Sequence, residues 1–96
     1  MDIKKLQKPD FDQDNDADTK IGLESRVLLF NDDWHSFEEV ITQLLKATGC
    51  TFEQARDYTF EVHVKGQSIV FTGPMSRCLK VSSVLEEIAL LTQIVT

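Results

Sequence analysis

Arg26-Val27-Leu28-Leu29-Phe30-Asn31-Asp32-Asp33-Trp34-His35-Ser36-Phe37 is the stretch on which the reading of this chain turns. Its β-rich first half meets three short polar side chains, which hydrogen-bond their own backbone and end strands. Ser36 followed by Glu39 forms a capping box, and Phe37, Val40, Ile41, Leu44 and Leu45 then recur at helical spacing. The stretch therefore predicts a strand over 26–31, a loop ending at His35, and a helix over 37–48 stopped by Gly49. Two carboxylates and an amide in such a loop make a concave, negatively polarised spot suited to a cation such as a protonated amine. Composition alone favours a plainer role, because Asn and Asp are ordinary turn residues.

Working toward the C-terminus, Thr51 with Gln54 is a second capping box. The segment it opens has two periods at once: Ala55, Tyr58, Thr59 and Val62 share a helix face, while Tyr58, Phe60, Val62 and Val64 alternate like a strand. Periodicity leaves that choice open. Lys65-Gly66-Gln67 is a break before a strand at 68–72, and Gly73-Pro74 opens a further helix with Cys78, Val81, Leu85, Ile88 and Ala89 inward. Gln93-Ile94-Val95 reads as a last short strand. No internal repeat is seen.

Toward the N-terminus the character changes. Residues 1–24 carry four lysines against seven acids, a net of −3, and Pro9 is followed by aspartates at 10, 12, 14, 16 and 18. With little to bury, this is expected to be a flexible acidic extension, leaving 25–96 as the folded domain. A calcium loop starting at Asp12 is rejected, because Ala17 stands where a glycine is needed and Leu23 where the bidentate glutamate belongs.

The whole chain has 96 residues, a net charge of −6, 42% apolar and 27% charged residues, which allows one domain with a small core. Neither half has the basic stripe that nucleic acid demands. Cys50 and Cys78 form no CxxC or zinc quartet, and each fits an apolar helix position, so reduced buried thiols are expected. Met1-Asp2-Ile3-Lys4-Lys5 leads into no apolar leader and no run approaches membrane-spanning length, so a cytoplasmic location away from membranes is expected.

Phe30-Asn31-Asp32-Asp33-Trp34, the cap at Ser36 and the later Glu61-Val62-His63 together resemble the ClpS family, small adaptors that hand proteins with particular N-terminal residues to a AAA+ protease. The resemblance runs from near Arg26 to about Gly66 without insertion or deletion, and from Gly73-Pro74-Met75 onward it is to cyanobacterial-type members. It implies that the ambiguous segment is helical to about His63. The element order then becomes β-α-α-β-α-β, an α/β (α+β) two-layer sandwich of a three-stranded antiparallel sheet with three helices on one face. A ribosomal stalk domain shares that general architecture, so fold alone does not decide function.

The resemblance also implies a site. In the family, the asparagine after the first strand and a histidine ending the second helix hydrogen-bond the ligand's α-amine; the matching residues are Asn31 and His63, with Asp32 and Asp33 in acidic positions of the same loop. The side-chain pocket would involve Leu29, Phe37, Val40, Thr59 and Val62, of which Thr59, Val62 and His63 share one helix face at i, i+3 and i+4. Lys80 corresponds to a family lysine that touches the unfoldase. Departures fall at the pocket: His35-Ser36-Phe37 replaces a frequent Thr-Pro-Met whose methionine screens ligand side chains, and Thr59 replaces another frequent methionine.

The implied function is a monomeric, cofactor-free, non-enzymatic adaptor. It would bind N-degron peptides and proteins that begin with Phe, Tyr, Trp or Leu, and deliver them to the N-terminal domain of a ClpA- or ClpC-type AAA+ unfoldase. The competing interaction-module reading is a stalk-like domain recruiting translation factors, which would not need Asn31 and His63 to converge. A metal-dependent hydrolase built on Asp32, Asp33, His35 and His63 lacks an HExxH, a nucleophile elbow or a second His/Asp cluster.

Overall fold

The computed structural model describes residues 24–96, so the acidic extension and the rejected calcium loop, up to residue 23, lie outside the described residues. The chain runs β1 (Ser25–Phe30), α1 (Phe37–Thr48), α2 (Phe52–Lys65), β2 (Gln67–Gly73), α3 (Met75–Glu86) and β3 (Thr92–Val95). The strands form one antiparallel sheet in the order β2-β1-β3, with the first strand in the centre. This is the sandwich expected from the sequence.

Alternation along β1 sends Ser25, Val27 and Leu29 into the interface between sheet and helices, all nearly or fully buried. Leu29 of β1, Leu44 of α1 and Leu85 of α3 are each 0% exposed and lock the layers together; burying one leucine fully contributes roughly 1.5–3 kcal/mol. On β2 the register slips between Val27 and Leu28, from Val27 opposite Phe71 to Leu28 opposite Ile69. Val70 is the extra residue of this bulge, and its consequence is that Val70 and Phe71 both pack inward, which strict alternation forbids.

The local signals explain the helices. Both capping boxes form: Ser36 and Glu39 satisfy each other's backbone N–H groups at the start of α1, as do Thr51 and Gln54 at the start of α2. The segment with two periods is helical, with Ala55, Thr59 and Val62 buried and Phe60 and Val64 left in solvent. The Thr51 cap and left-handed Gly66 (φ 89°) set its ends, while burial of that one face settles helix over the β propensity between them.

Several boundaries differ from the sequence reading. β1 starts and stops one residue early, because the Asn31 N–H leaves the sheet and donates to the Gly66 carbonyl at 2.9 Å. α2 runs to Lys65, and β2 occupies 67–73. Cys50 is half-buried between α1 and α2 rather than on a helix, while Cys78 is buried on α3; both are free thiols. Pro74 caps α3 from outside rather than sitting in its first turn. Ile88 and Ala89 lie beyond α3 rather than on it; Ile88 still packs half-buried against the core, whereas Ala89 is exposed. That helix ends at Glu86, and Ala89 turns the chain at a left-handed φ of 65°, so that Leu90, 4% exposed, enters the core instead. β3 accordingly begins at Thr92.

Gly66 offers a clean test of this cap. A Cβ there meets nothing within 4 Å, so the cost of Gly66→Ala is the strain of a left-handed backbone alone, about 1 kcal/mol. Urea melts should show a lower midpoint with unchanged slope, and Gly66→Asn should recover part of the loss; equal stability of all three proteins would disprove the left-handed cap.

Candidate functional site

A cavity of about 340 Å³ opens where β1 hands over to α1. For scale, an engineered cavity of about 150 Å³ holds benzene, so this space takes an aromatic side chain together with the backbone that carries it. Its floor is apolar: Leu29, Val40, Val62 and Leu90 line it and are each under a tenth exposed. Its rim is polar, formed by Asn31, Asp32 and Asp33 from the turn and His63 from α2.

Each element delivers its part for a local reason. The pleat of β1 points Leu29 inward, and the bond from Asn31 N–H to Gly66 O fixes the start of the turn against the end of α2. Asp32 then closes the turn on itself, its Oδ1 accepting from the backbone N–H groups of Trp34 at 3.0 Å and His35 at 2.9 Å. Ser36 caps α1, which places Phe37, 40% exposed, at the mouth. Phe37 meets the His63 ring edge-on, centroids 5.5 Å apart. Thr59 is buried in the α2 wall, and its hydroxyl donates to the Ala55 carbonyl at 2.7 Å.

The structure thus brings together nine residues singled out in the sequence: Leu29, Asn31, Asp32, Asp33, Phe37, Val40, Thr59, Val62 and His63 all line one cavity. Lys80 is exposed on α3 and is not among the lining residues. Sequence reasoning missed four that are: Phe30, His35, Ser36 and Leu90. Phe30 and Ser36 flank the turn and could have been included on adjacency. Leu90 had no signal, since the left-handed Ala89 that aims it inward is not a glycine. His35 stands outside the pocket that the resemblance implies, yet both of its ring nitrogens are engaged. Nδ1 lies 2.7 Å from Asp32 Oδ2 and Nε2 2.5 Å from the Ile88 carbonyl, with the side chain only 11% exposed.

That pair dominates the electrostatics. The Asp32 hydrogen bond raises the His35 pKa above its ordinary value, against burial, and the Ile88 carbonyl adds to the rise. Burial alone would raise the Asp32 carboxyl, but the N–H groups of His35 and Trp34 and the His35 ring outweigh it and hold the pKa below the usual range. Among the described residues no group of three or more His, Cys, Asp or Glu is placed to hold a metal, and no helix is long and apolar enough to cross a membrane.

Residues 23–92 match the family model for the ATP-dependent Clp protease adaptor protein ClpS. The ClpS adapter of Nostoc sp. is 42% identical over 50 residues, covering 51% of this chain and 52% of that protein. That of Thermosynechococcus vestitus is 36% identical over 53 residues, covering 54% and 56%. The chain spans about half the length of the curated relatives it matches. In three dimensions it resembles Agrobacterium tumefaciens ClpS2 bound to L-phenylalaninamide, with a TM-score of 0.65 and 19% identity over 74% of this chain and 93% of that one. Since the family match spans every helix and reaches the first residue of β3, the chain belongs to the ClpS family, with its curated relatives among the cyanobacteria.

Proposed function

We propose that this protein is a non-enzymatic adaptor that captures polypeptides by a large hydrophobic first residue, Phe, Tyr, Trp or Leu, and passes them to a ClpA- or ClpC-type AAA+ unfoldase. The observation that carries this reading is one cavity with an apolar floor and a rim of hydrogen-bond acceptors. A chain's first residue is the only one that offers a side chain and a cationic amine from the same Cα. The floor takes the side chain; Asn31, the His63 ring, and the carboxylates of Asp32 and Asp33 face the amine. Asp32 already accepts from two backbone N–H groups and the His35 ring, so exposed Asp33 is the carboxylate with unused capacity. The bound ClpS2, whose ligand is a free amino acid amide with a phenyl side chain, supports the same class of ligand. Lys80, exposed on α3 and outside the cavity lining, is offered to the unfoldase while a substrate is held. The adaptor works as a cytoplasmic monomer in this reading.

The amine supplies the sharpest test. It is mostly cationic at neutral pH, with a pKa of about 7.7–8.0, and charge-assisted hydrogen bonds from it contribute roughly 1.5–3 kcal/mol each. Acetylating a Phe-peptide removes at least two, so titration calorimetry should show affinity falling by about 100-fold or more. Equal binding of free and acetylated peptides would sink the adaptor reading.

Phe37 sets the second test. Because it is partly exposed at the mouth, Phe37→Ala removes bulk without opening the core, and peptides beginning with Ile or Val, excluded by the parent, should gain measurable affinity. A variant that loses its cooperative melt and binds nothing at low temperature would place Phe37 in the core instead.

His63 sets the third. A ring lone pair of His63 at the rim accepts from the ligand's amine in this reading, so His63→Ala should bind a Phe-peptide several-fold more weakly at neutral pH, by about 1 kcal/mol or more. An unchanged affinity removes His63 from the amine site.

A further inference from the structure

Both ring nitrogens of His35 face acceptors. Nδ1 faces Asp32 Oδ2 at 2.7 Å and Nε2 faces the Ile88 carbonyl oxygen at 2.5 Å. A neutral imidazole has one N–H and one lone pair, so either tautomer aims a lone pair at an oxygen. A proton on Asp32 would also resolve the conflict. But its Oδ1 already accepts from two backbone N–H groups, and the bonds to Asp32 lower its pKa while raising that of His35, so the proton belongs to the ring. The geometry therefore requires the imidazolium.

The two acceptors belong to segments that reach different parts of the cavity: Asp32 lines it, and Ile88 precedes a residue that does. Asp32 shapes the turn that carries Asn31 and Asp33. Ile88 lies two residues before Leu90, which the left-handed Ala89 turns into the floor. His35 is thus a polar side-chain link between the amine-facing turn and the segment after α3, across 53 residues of sequence. We propose that His35 is a doubly protonated positioning residue that holds rim and floor of the cavity in register, and that its deprotonation at alkaline pH releases one side and weakens ligand capture. The second half rests on the adaptor reading; the first does not.

The surrounding charges bear on both directions. Asp32 in the turn and Glu39 in the first turn of α1 favour the imidazolium. The positive end of the α1 dipole, just after His35, opposes it. From the segment after α3 come the Ile88 carbonyl and Glu87, the latter already held by Lys46 at 2.9 Å and Gln43 at 3.3 Å. Asp33 in the same turn and His63 on the opposite wall complete the ionisable groups that line the cavity. Because the folded pKa of His35 is raised, the clamp's stabilisation is complete below the unfolded value and is lost as pH rises through the folded one.

Nitrogen-15 NMR of the ligand-free protein decides the first half. Near neutral pH both His35 ring nitrogens should be protonated, with a midpoint above that of free histidine and the amide signals of Ile88, Ala89 and Leu90 titrating with it. A ring that is already neutral at about pH 6.5, or signals at 88–90 that ignore it, overturns the clamp. For the second half, the Kd of a Phe-peptide is compared between the parent and His35→Gln across pH 6–9. Gln donates to one acceptor only and does not titrate, while the ligand amine is common to both measurements and cancels in the ratio. The variant should bind about tenfold more weakly at the acid end, shrinking toward parity at the alkaline end. A ratio constant with pH overturns the release. If the parent binds no Phe-peptide, the adaptor reading fails and the ring titration still decides the clamp.

Discussion

The central position of β1 is the constraint on which the site depends. With β2 on one side and β3 on the other, the chain leaving β1 is flanked by the connections that lead into both neighbours. Phe30 N–H donates to the Leu91 carbonyl at 3.0 Å and Asn31 N–H to the Gly66 carbonyl at 2.9 Å, pinning successive residues to opposite sides. The Asn-Asp-Asp turn therefore exits between the end of α2, which carries His63, and the segment after α3, which carries Leu90. Three parts of the chain remote in sequence line one cavity because an antiparallel sheet places these connections at one end of its middle strand.

Once those positions are set, the polar groups sort themselves by what remains unsatisfied. Asp32 uses both oxygens within the protein, on two backbone N–H groups and on His35. Its charge stiffens the turn and is matched by the imidazolium beside it. Asp33, Asn31 and His63 stay at the rim with capacity to spare. His35-Ser36-Phe37 thus does two separable things. Ser36 completes a full capping box, and His35 carries a ring long enough to reach across to Ile88.

The local grammar was legible in the chain wherever a few adjacent residues carry the physics. Ser36 with Glu39, Thr51 with Gln54, and Gly49 and Gly66 at φ above zero begin and end α1 and α2 through hydrogen bonds spanning four or five residues, so no distant partner is needed. The Asn-Asp-Asp turn is of the same kind. Nine lining residues were reached because the turn is local, because the α2 residues share a helix face, and because a family pattern joined those two segments. Periodicity alone did not join them.

What stayed illegible depended on partners far along the chain. The period of residues 55–64 fits a helix and a strand equally; burial of Ala55, Thr59 and Val62 against the sheet decides it, with Phe60 and Val64 left outside. The bulge that turns both Val70 and Phe71 inward exists only opposite Val27. The end of α3 is set by Leu90 reaching the core, which forces a left-handed Ala89 that no glycine announces. His35 is the clearest case: beside Asp32 it reads as one more polar loop residue, and only folding brings the Ile88 carbonyl to its other nitrogen. Sequence alone determined the caps, the turn and the apolar stripes, because hydrogen-bond reach and side-chain period are local properties. Tertiary structure decided which of two compatible periods is used, where the last helix stops and what protonation state His35 must hold, because each is set by an atom dozens of residues away.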